Sequence, residues 1–457
     1  MQKYIGGIEG FLEQDAAKES AFWADYQVLG PMFAALRMFM TMDDVLTVIV
    51  GAKGCAYHLN FTIVAWGEID FFLGKRPLPV LEYRQQQIAL GDFTPPEDWL
   101  RRMKKLCGVY GARRIVLLPT DALLLCGADL AGVAGEIQKF TGIQTEALEI
   151  AGMSSPNQWA GYDAALEALY RPYLGKSYRH EKSVNLVGWM WPSRHRGHEI
   201  GCCIDMLKEL QIPVNAVISG GSSLADIEKS MHAGANALVC SSVMGNLLQR
   251  LDEEGIRLAG PRAPYGFSGT REWLTSIADV LELPVYDGID AMEKRYRGLF
   301  EKNREQLRGK KVFVSGGPGR LIGLLHTLAD YGMDIQAAAM FWPHAWSQED
   351  IRHMLRDHGV KMKEFILSPG LDDLERVACQ YDVDVWLGGY QEQHTCKRHG
   401  IPFVPITVYT VPHVGFEGAV NLGNKLLLAM SGYSFTESQF IAREVEGVIC
   451  PSNDSNQ

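Results

Sequence analysis

The sequence predicts an α/β protein of three successive units, each a parallel sheet flanked by helices. Two observations carry this. Short apolar runs such as 45–50, 114–119, 184–190 and 311–315 alternate with segments of helical period, the pattern of strands joined by crossover helices. The alternation is interrupted twice, by the polar stretch 172–182 (PYLGKSYRHEK) and by a highly charged helical segment, 293–309, suited to connecting domains.

Taken in order, residues 1–37 form an aromatic segment of helical pattern with Phe11, Phe22, Trp23, Tyr26 and Phe33, read as a docking arm. The first unit, 38–175, opens with strand 45–50. A glycine-bounded loop holding Cys55 follows, then a helix over 59–72 with Glu68 and Asp70 near its end, a helix over 96–107 and strand 114–119. Thr120 and Asp121 start another helix in the manner of an N-cap. The second unit, 176–305, runs through strand 184–190, helix 197–210, strand 213–219, helix 223–233 and strand 237–241, which ends around Cys240. The third, 306–457, has strand 311–315, a glycine turn at 316–319, a helix to Tyr331, strands 335–341, 364–367, 383–387 and 403–408, and C-terminal helices.

Composition narrows the function classes. A chain of 457 residues, 47% apolar and 21% charged, has enough material for sizeable cores. A formal net charge of −10 argues against a nucleic-acid surface, and the short cluster Arg101, Arg102, Lys104, Lys105 reads as a solvated helix face. No apolar run is long enough to span a membrane and MQKYIGGIEGFLEQD lacks a signal-peptide pattern, so a cytoplasmic protein is expected. Nine cysteines without a CxxC pair point to reduced thiols, with room for one or two as metal or cluster ligands completed by another subunit.

Among the motifs, Gly51 and Gly54 let the backbone bend sharply around Cys55, so its thiolate can be presented to iron; a small buried cysteine is the plainer alternative. The turn Gly316-Gly317-Pro318-Gly319 suggests a dinucleotide fingerprint, yet Gly317, Gly319 and Gly323 are misspaced and the next strand ends without an acid for the ribose. It reads as a tight βα turn. His195 and His198 in PSRHRGHE stand beside Glu199 without the HExxH order and read as a charged loop at a site mouth; Arg194, Arg196 and His198 suit an anionic ligand. Cys202 and Cys203 read as core packing. Neither GxSxG nor a Walker A loop is present, so electrons for any redox chemistry must come from elsewhere.

Several stretches together resemble one family. VGAKGCAYHL resembles the first cluster-ligand loop of nitrogenase component 1 proteins. Residues 236–274 (NALVCSSVMGNLLQRLDEEGIRLAGPRAPYGFSGTREWL) resemble that family's middle domain, and VFVSGGPGRLIGLLHTLADYGMDI the start of its third. HGIPFVPITVYTVPHVGFEGAVNLGNKL, 399–426, is similar to its closing segment. The resemblance implies three Rossmann-like domains, a homodimeric or α2β2-type assembly with a second component 1-type subunit, an iron-sulfur cluster at the interface, and an ATP-dependent iron protein as electron donor.

Carried across residue by residue, Cys55 matches the first cluster cysteine. Where the second is expected the chain has Val80, Leu81 and Glu82; where the third is expected it has Asp121, with Cys126 more than a turn further on. The resemblance then implies a [4Fe-4S] cluster shared with a partner subunit, with Glu82 and Asp121 as candidate oxygen ligands, or a homodimer using Cys55 and Cys126 of each copy. Cys240 falls where relatives bind a larger metallocluster by a thiolate, although Thr407 stands where their histidine ligand is expected. The implied function is a component 1-type subunit of a nitrogenase-like reductase that passes low-potential electrons to a hard-to-reduce substrate, such as a tetrapyrrole double bond or a C–S bond. His195, His198, His344 and His413 are candidate proton donors. The alternative is a non-catalytic scaffold for metallocluster assembly.

Overall fold

The computed structural model describes residues 4–7, 30–51, 54, 78–150, 158–189, 199–240, 245–341, 347–357, 359–389, 392–406 and 412–432. Among them three sheets flanked by helices form, so the α/β class holds. The earliest strand, β1 (Tyr4–Gly6), joins the third sheet. The first sheet has the order β3-β2-β4-β5, all pairs parallel, from β2 (Val45–Val50), β3 (Val80–Leu81), β4 (Arg114–Pro119) and β5 (Gln144–Ala147). The second, also parallel, has the order β7-β6-β8-β9, from β6 (Glu181–Trp189), β7 (Val214–Ser219), β8 (Ala233–Leu238) and β9 (Arg257–Ala259). The third runs β1-β12-β11-β10-β13-β14, with β10 (Lys311–Gly316), β11 (Asp334–Met340), β12 (Met362–Leu367), β13 (Val385–Gly388) and β14 (Phe403–Pro405). Every residue of β2 and β4 is buried, as crossover helices covering both faces require.

All three sheets reverse their strand order once. Apart from the antiparallel edge strand β1, each begins in its interior, adds strands on one side, then crosses to the other, which puts switch points between β2 and β4, β6 and β8, and β10 and β13. Successive connections leave such a point toward opposite faces, opening a crevice beyond the carboxyl ends of the strands.

The units are fused through shared cores. Helices Pro31–Met40 and Gln158–Tyr170 lie between the first and second sheets in one apolar cluster. There Thr41 Oγ1 donates to the Ser219 carbonyl at 2.8 Å, and the Leu224 amide donates to Asp44 Oδ1 at 2.9 Å. The second and third sheets share a larger cluster built on helices Gly266–Leu281, Tyr286–Leu307, Pro318–Asp330 and Gly415–Met430. Its aromatic centre pairs Phe267 with Phe300 at 4.2 Å between centroids, Phe300 with Tyr331 at 4.4 Å, and Phe267 with Phe416 at 5.2 Å.

Some sequence expectations change. Tyr4–Gly6 is not helical but extended, because it pairs antiparallel with the edge strand β12, and main-chain pairing there outweighs local propensity. The charged connector starts earlier, at Tyr286, and buries Ile289, Met292, Phe300, Asn303 and Leu307, so it is a packed pillar as well as a link. Strand β8 stops at Leu238, leaving Cys240 two residues beyond it. The end of the aromatic arm is helical, within Pro31–Met40, whereas its residues 8–29 and the segment 59–72 lie outside the described residues. Cys203 is fully buried and Cys202 packs against the same apolar cluster, as core packing demands.

The glycine turn has a packing explanation. Gly317 is the extended N-cap and Pro318 the first residue of its helix. A Cβ on Gly323 would stand 2.3 Å from the Tyr265 ring, so that glycine admits an aromatic side chain. The switch point at β10 and β13 is filled by the protein itself: Ser315 Oγ donates to Glu392 Oε1 at 2.8 Å and accepts from Trp386 Nε1 at 3.2 Å.

Between the first two sheets, a Cβ on Gly161 would come 1.9 Å from the Pro31 carbonyl oxygen. Gly161→Ala is therefore expected to push the two helices apart and destabilise the chain by about 2 kcal/mol, measured by urea denaturation.

Candidate functional site

The first sheet gathers one set of predicted residues. At the β2–β4 switch point the Gly51 amide donates to the Leu81 carbonyl at 2.9 Å, and the Thr120 amide donates to the Val50 carbonyl at 2.9 Å. The chain therefore enters the Cys55 loop wedged between the exits of β3 and β4, where Glu82 and Asp121 follow immediately. Gly51 has φ +144, and a Cβ there would stand 2.1 Å from Thr120 Oγ1, so both the conformation and the space require glycine. Thr120 takes the N-cap position of helix Asp121–Leu125 without a side-chain cap bond, because its side chain is turned against Gly51.

Asp121 is half-buried, Glu82 exposed, and Cys126, capping the other end of that helix, is exposed beside Leu125. Cys55 itself lies outside the described residues, as do His195, His198, His344 and Thr407. Among the described residues no three or more His, Cys, Asp or Glu side chains gather closely enough to hold a metal ion. The described donors thus fit an iron-sulfur cluster only as part of a ligand set.

Cys240 stands past β8 at the second switch point, half-buried, and packs on the apolar cluster shared with the first sheet. His413 is elsewhere, at the seam between the second and third sheets. An antiparallel bridge joins Tyr265 to Val414, and the Gly415 amide donates to the Pro264 carbonyl at 2.7 Å. Gly415 has φ +79, and a Cβ on Gly418 would stand 2.3 Å from the carbonyl carbon of His413. The glycines of HVGFEG therefore shape the turn that carries this histidine.

His413 is the centre of a buried polar cluster. Lys425 Nζ donates to His413 Nε2 at 2.9 Å, and both residues are more than nine-tenths buried. Glu199 Oε1 accepts from the Tyr265 hydroxyl at 3.0 Å, and Glu199 Oε2 pairs with Arg320 Nη2 at 3.2 Å. Arg320 Nη1 also donates to the Ile406 carbonyl at 2.7 Å, and its Nε to the Tyr265 hydroxyl at 3.3 Å. The five side chains come from the helix after β6, the helix after β10, the turn before Gly266–Leu281, and the turn and body of Gly415–Met430.

Burial, and then the Lys425 and Arg320 charges, hold the His413 imidazole neutral well below the usual histidine range. As the acceptor at Nε2 it carries its proton on Nδ1. Burial lowers Lys425 to about 8 against the opposing pull of Glu199, with Arg320 adding to the decrease. Burial and the neighbouring Glu199 push the Tyr265 phenol upward, so it stays a donor. The cluster can therefore hold a proton on Lys425 near neutrality, with the neutral His413 as its hydrogen-bond acceptor.

Sequence reasoning reached His413 and noted Glu199 but missed Lys425, Arg320 and Tyr265. One signal was present. Lys425 falls on the apolar stripe of its helix with Gly418, Leu422 and Ala429, where a lysine is out of place.

Two outcomes are expected. Glu199→Gln leaves the buried Lys425 and the part-buried Arg320 without their carboxylate and should destabilise by about 3 kcal/mol in urea. Lys425 loses its proton in the folded state before the unfolded state does, so folded stability rises with pH from about 8 upward. Between pH 7 and 9.5 wild type should therefore gain about 2 kcal/mol relative to Lys425→Met, read from paired urea titrations.

Comparison with known proteins places this geometry. Residues 30–431 match the family model described as Nitrogenase component 1 type Oxidoreductase. The chain is 24% identical over 359 residues to the "Nitrogenase iron-molybdenum cofactor biosynthesis protein NifE" of Sinorhizobium fredii, covering 76% of this chain and 70% of that one. It is 24% identical to the "Nitrogenase molybdenum-iron protein alpha chain" of Methanothermobacter marburgensis, covering 88% of this chain and 87% of that one. It is 25% identical to a component of the light-independent protochlorophyllide reductase of Prosthecochloris aestuarii, covering 85% of this chain and 76% of that one. The solved structure titled "Nitrogenase Cp1 at pH 6.5" superposes with a TM-score of 0.72 at 16% identity, covering 94% of this chain and 98% of that one, and so shares the fold. With the family model spanning nearly the whole chain, this protein belongs to the nitrogenase component 1 type oxidoreductases.

Proposed function

We propose that this chain is a component 1-type subunit of a nitrogenase-like reductase, receiving low-potential electrons from an ATP-dependent iron protein and delivering them to a hard-to-reduce substrate at the seam between the second and third sheets. The observation that supports it is the convergence of the Cys55 loop entry, Glu82 and Asp121 at one switch point, held by direct main-chain bonds. An iron-sulfur cluster bound there would supply one-electron transfer. Cys55, with Asp121, Glu82 or Cys126, would give this chain's share of the ligands, and a second component 1-type subunit would give the rest.

At the seam, Lys425 holds a transferable proton, His413 accepts at Nε2, and Glu199 with Arg320 and Tyr265 fixes the surrounding charges. Reduction of a multiple or polar bond consumes protons along with electrons, and a buried lysine near neutral pKa suits that supply. Among the described residues, His413 is the candidate histidine that stands beside this lysine.

The similarity to a cofactor-biosynthesis relative favours a second reading, a scaffold that carries a metallocluster, with Cys240 as its thiolate. One preparation separates the two. The chain is purified anaerobically with its partner subunit, iron is counted, EPR is recorded, and substrate reduction is assayed with the iron protein and ATP. The reductase reading expects cluster iron and its EPR signal in wild type, both lost in Cys55→Ser and kept in Cys240→Ser, with ATP-dependent turnover. Iron unchanged in Cys55→Ser overturns it, and iron lost in Cys240→Ser without turnover supports the scaffold.

A further inference from the structure

The seam cluster is unbalanced in charge. Arg320 and Lys425 are cations, Glu199 is the carboxylate among them, and His413 and Tyr265 are neutral, so among the described residues the cluster carries an excess of one positive charge beside the buried Lys425. Both oxygens of Glu199 are engaged, one by Tyr265 and one by Arg320. The Lys425 ammonium has three donors and, among the described residues, a single hydrogen-bond partner, His413 Nε2. A buried ammonium with open donors is costly unless an acceptor meets it, and a neutral acceptor would satisfy the donors without the charge.

We propose that Lys425, positioned by His413 and by the Glu199–Arg320 pair, is the recognition group for a carboxylate-bearing ligand, so that the substrate taken at the seam is an organic acid. This rests on the reading of the seam as the ligand site. A singly charged carboxylate cancels the excess, whereas a doubly charged phosphate would overcompensate it. The oxygens accept from the Lys425 donors that His413 leaves open, and no bond is made or broken in the binding. Lys425 is thus a specificity group for acids as well as a proton reservoir.

Because recognition needs the ammonium, affinity follows the Lys425 proton. The groups around it are His413 from the turn ahead of its helix, and Glu199, Arg320 and Tyr265 from the facing elements. On the Tyr286–Leu307 helix, Tyr296 donates to Glu417 at 3.3 Å and Arg295 pairs with Glu209 at 2.6 Å. Of these the lysine is the one whose charge changes near pH 8.

The test is isothermal titration calorimetry on the full chain with potassium succinate and potassium acetate, against potassium phosphate and chloride at equal ionic strength, from pH 7 to 9.5. Carboxylate binding is expected at pH 7, weakening as pH passes about 8. It should weaken about tenfold or more in Lys425→Met and stay unchanged in the surface variant Lys182→Met. The pH profile of wild type gives the answer even if Lys425→Met folds poorly. Equal binding in Lys425→Met, a flat pH profile, or a preference for phosphate overturns the proposal. Absence of carboxylate binding in a preparation that holds its Cys55-dependent iron refutes this inference and leaves the reductase reading intact; carboxylate binding without iron does the reverse.

Discussion

Much of this molecule depends on one carboxylate. Glu199 is buried at the start of the helix after β6, where the helix N-terminus favours a negative charge, and it answers for Arg320 directly and for Lys425 through space. These cations belong to the third unit and Glu199 to the second, so the seam is held electrostatically as well as by the apolar cluster around Phe267, Phe300 and Tyr331. A buried pair of this kind adds little net stability, because desolvation offsets attraction. It sets register instead: sliding the units apart would strand ions in an apolar interior.

Topology explains why the chemistry collects where it does. The same reversal of strand order occurs in all three sheets, and a crevice follows from it each time. In the first sheet the crevice receives Gly51, where the chain leaves β2, and Asp121; in the second it receives Cys240. In the third, Ser315, Trp386 and Glu392 fill it, while the helix leaving β10 turns Arg320 toward the second unit. One architectural rule thus yields three different local outcomes, chosen by the side chains at the strand ends.

The seam also shows how glycine and burial cooperate. Gly323 admits the Tyr265 ring, Gly418 admits the His413 main chain, and Gly415 supplies a positive φ for the turn. These glycines look like motif residues in the sequence, and in the structure they are spaces for the polar cluster. Gly323, in the helix after the tight βα turn at Gly316–Gly319, has this packing role.

By itself the sequence determined the α/β class, the parallel strands and the strand-end placement of Asp121 and Cys240, because period, turn residues and apolar runs are local quantities. His413 stood out as a titratable group beside a glycine-rich turn. The tertiary structure alone decided that Tyr4–Gly6 closes an edge of the third sheet, that the charged 286–307 segment is a core pillar, and that Lys425, Arg320, Tyr265 and Glu199 meet. Those residues lie up to 226 positions apart, from Glu199 to Lys425. Their joint electrostatics arise from burial in a shared seam, and no window of sequence contains both sides of it.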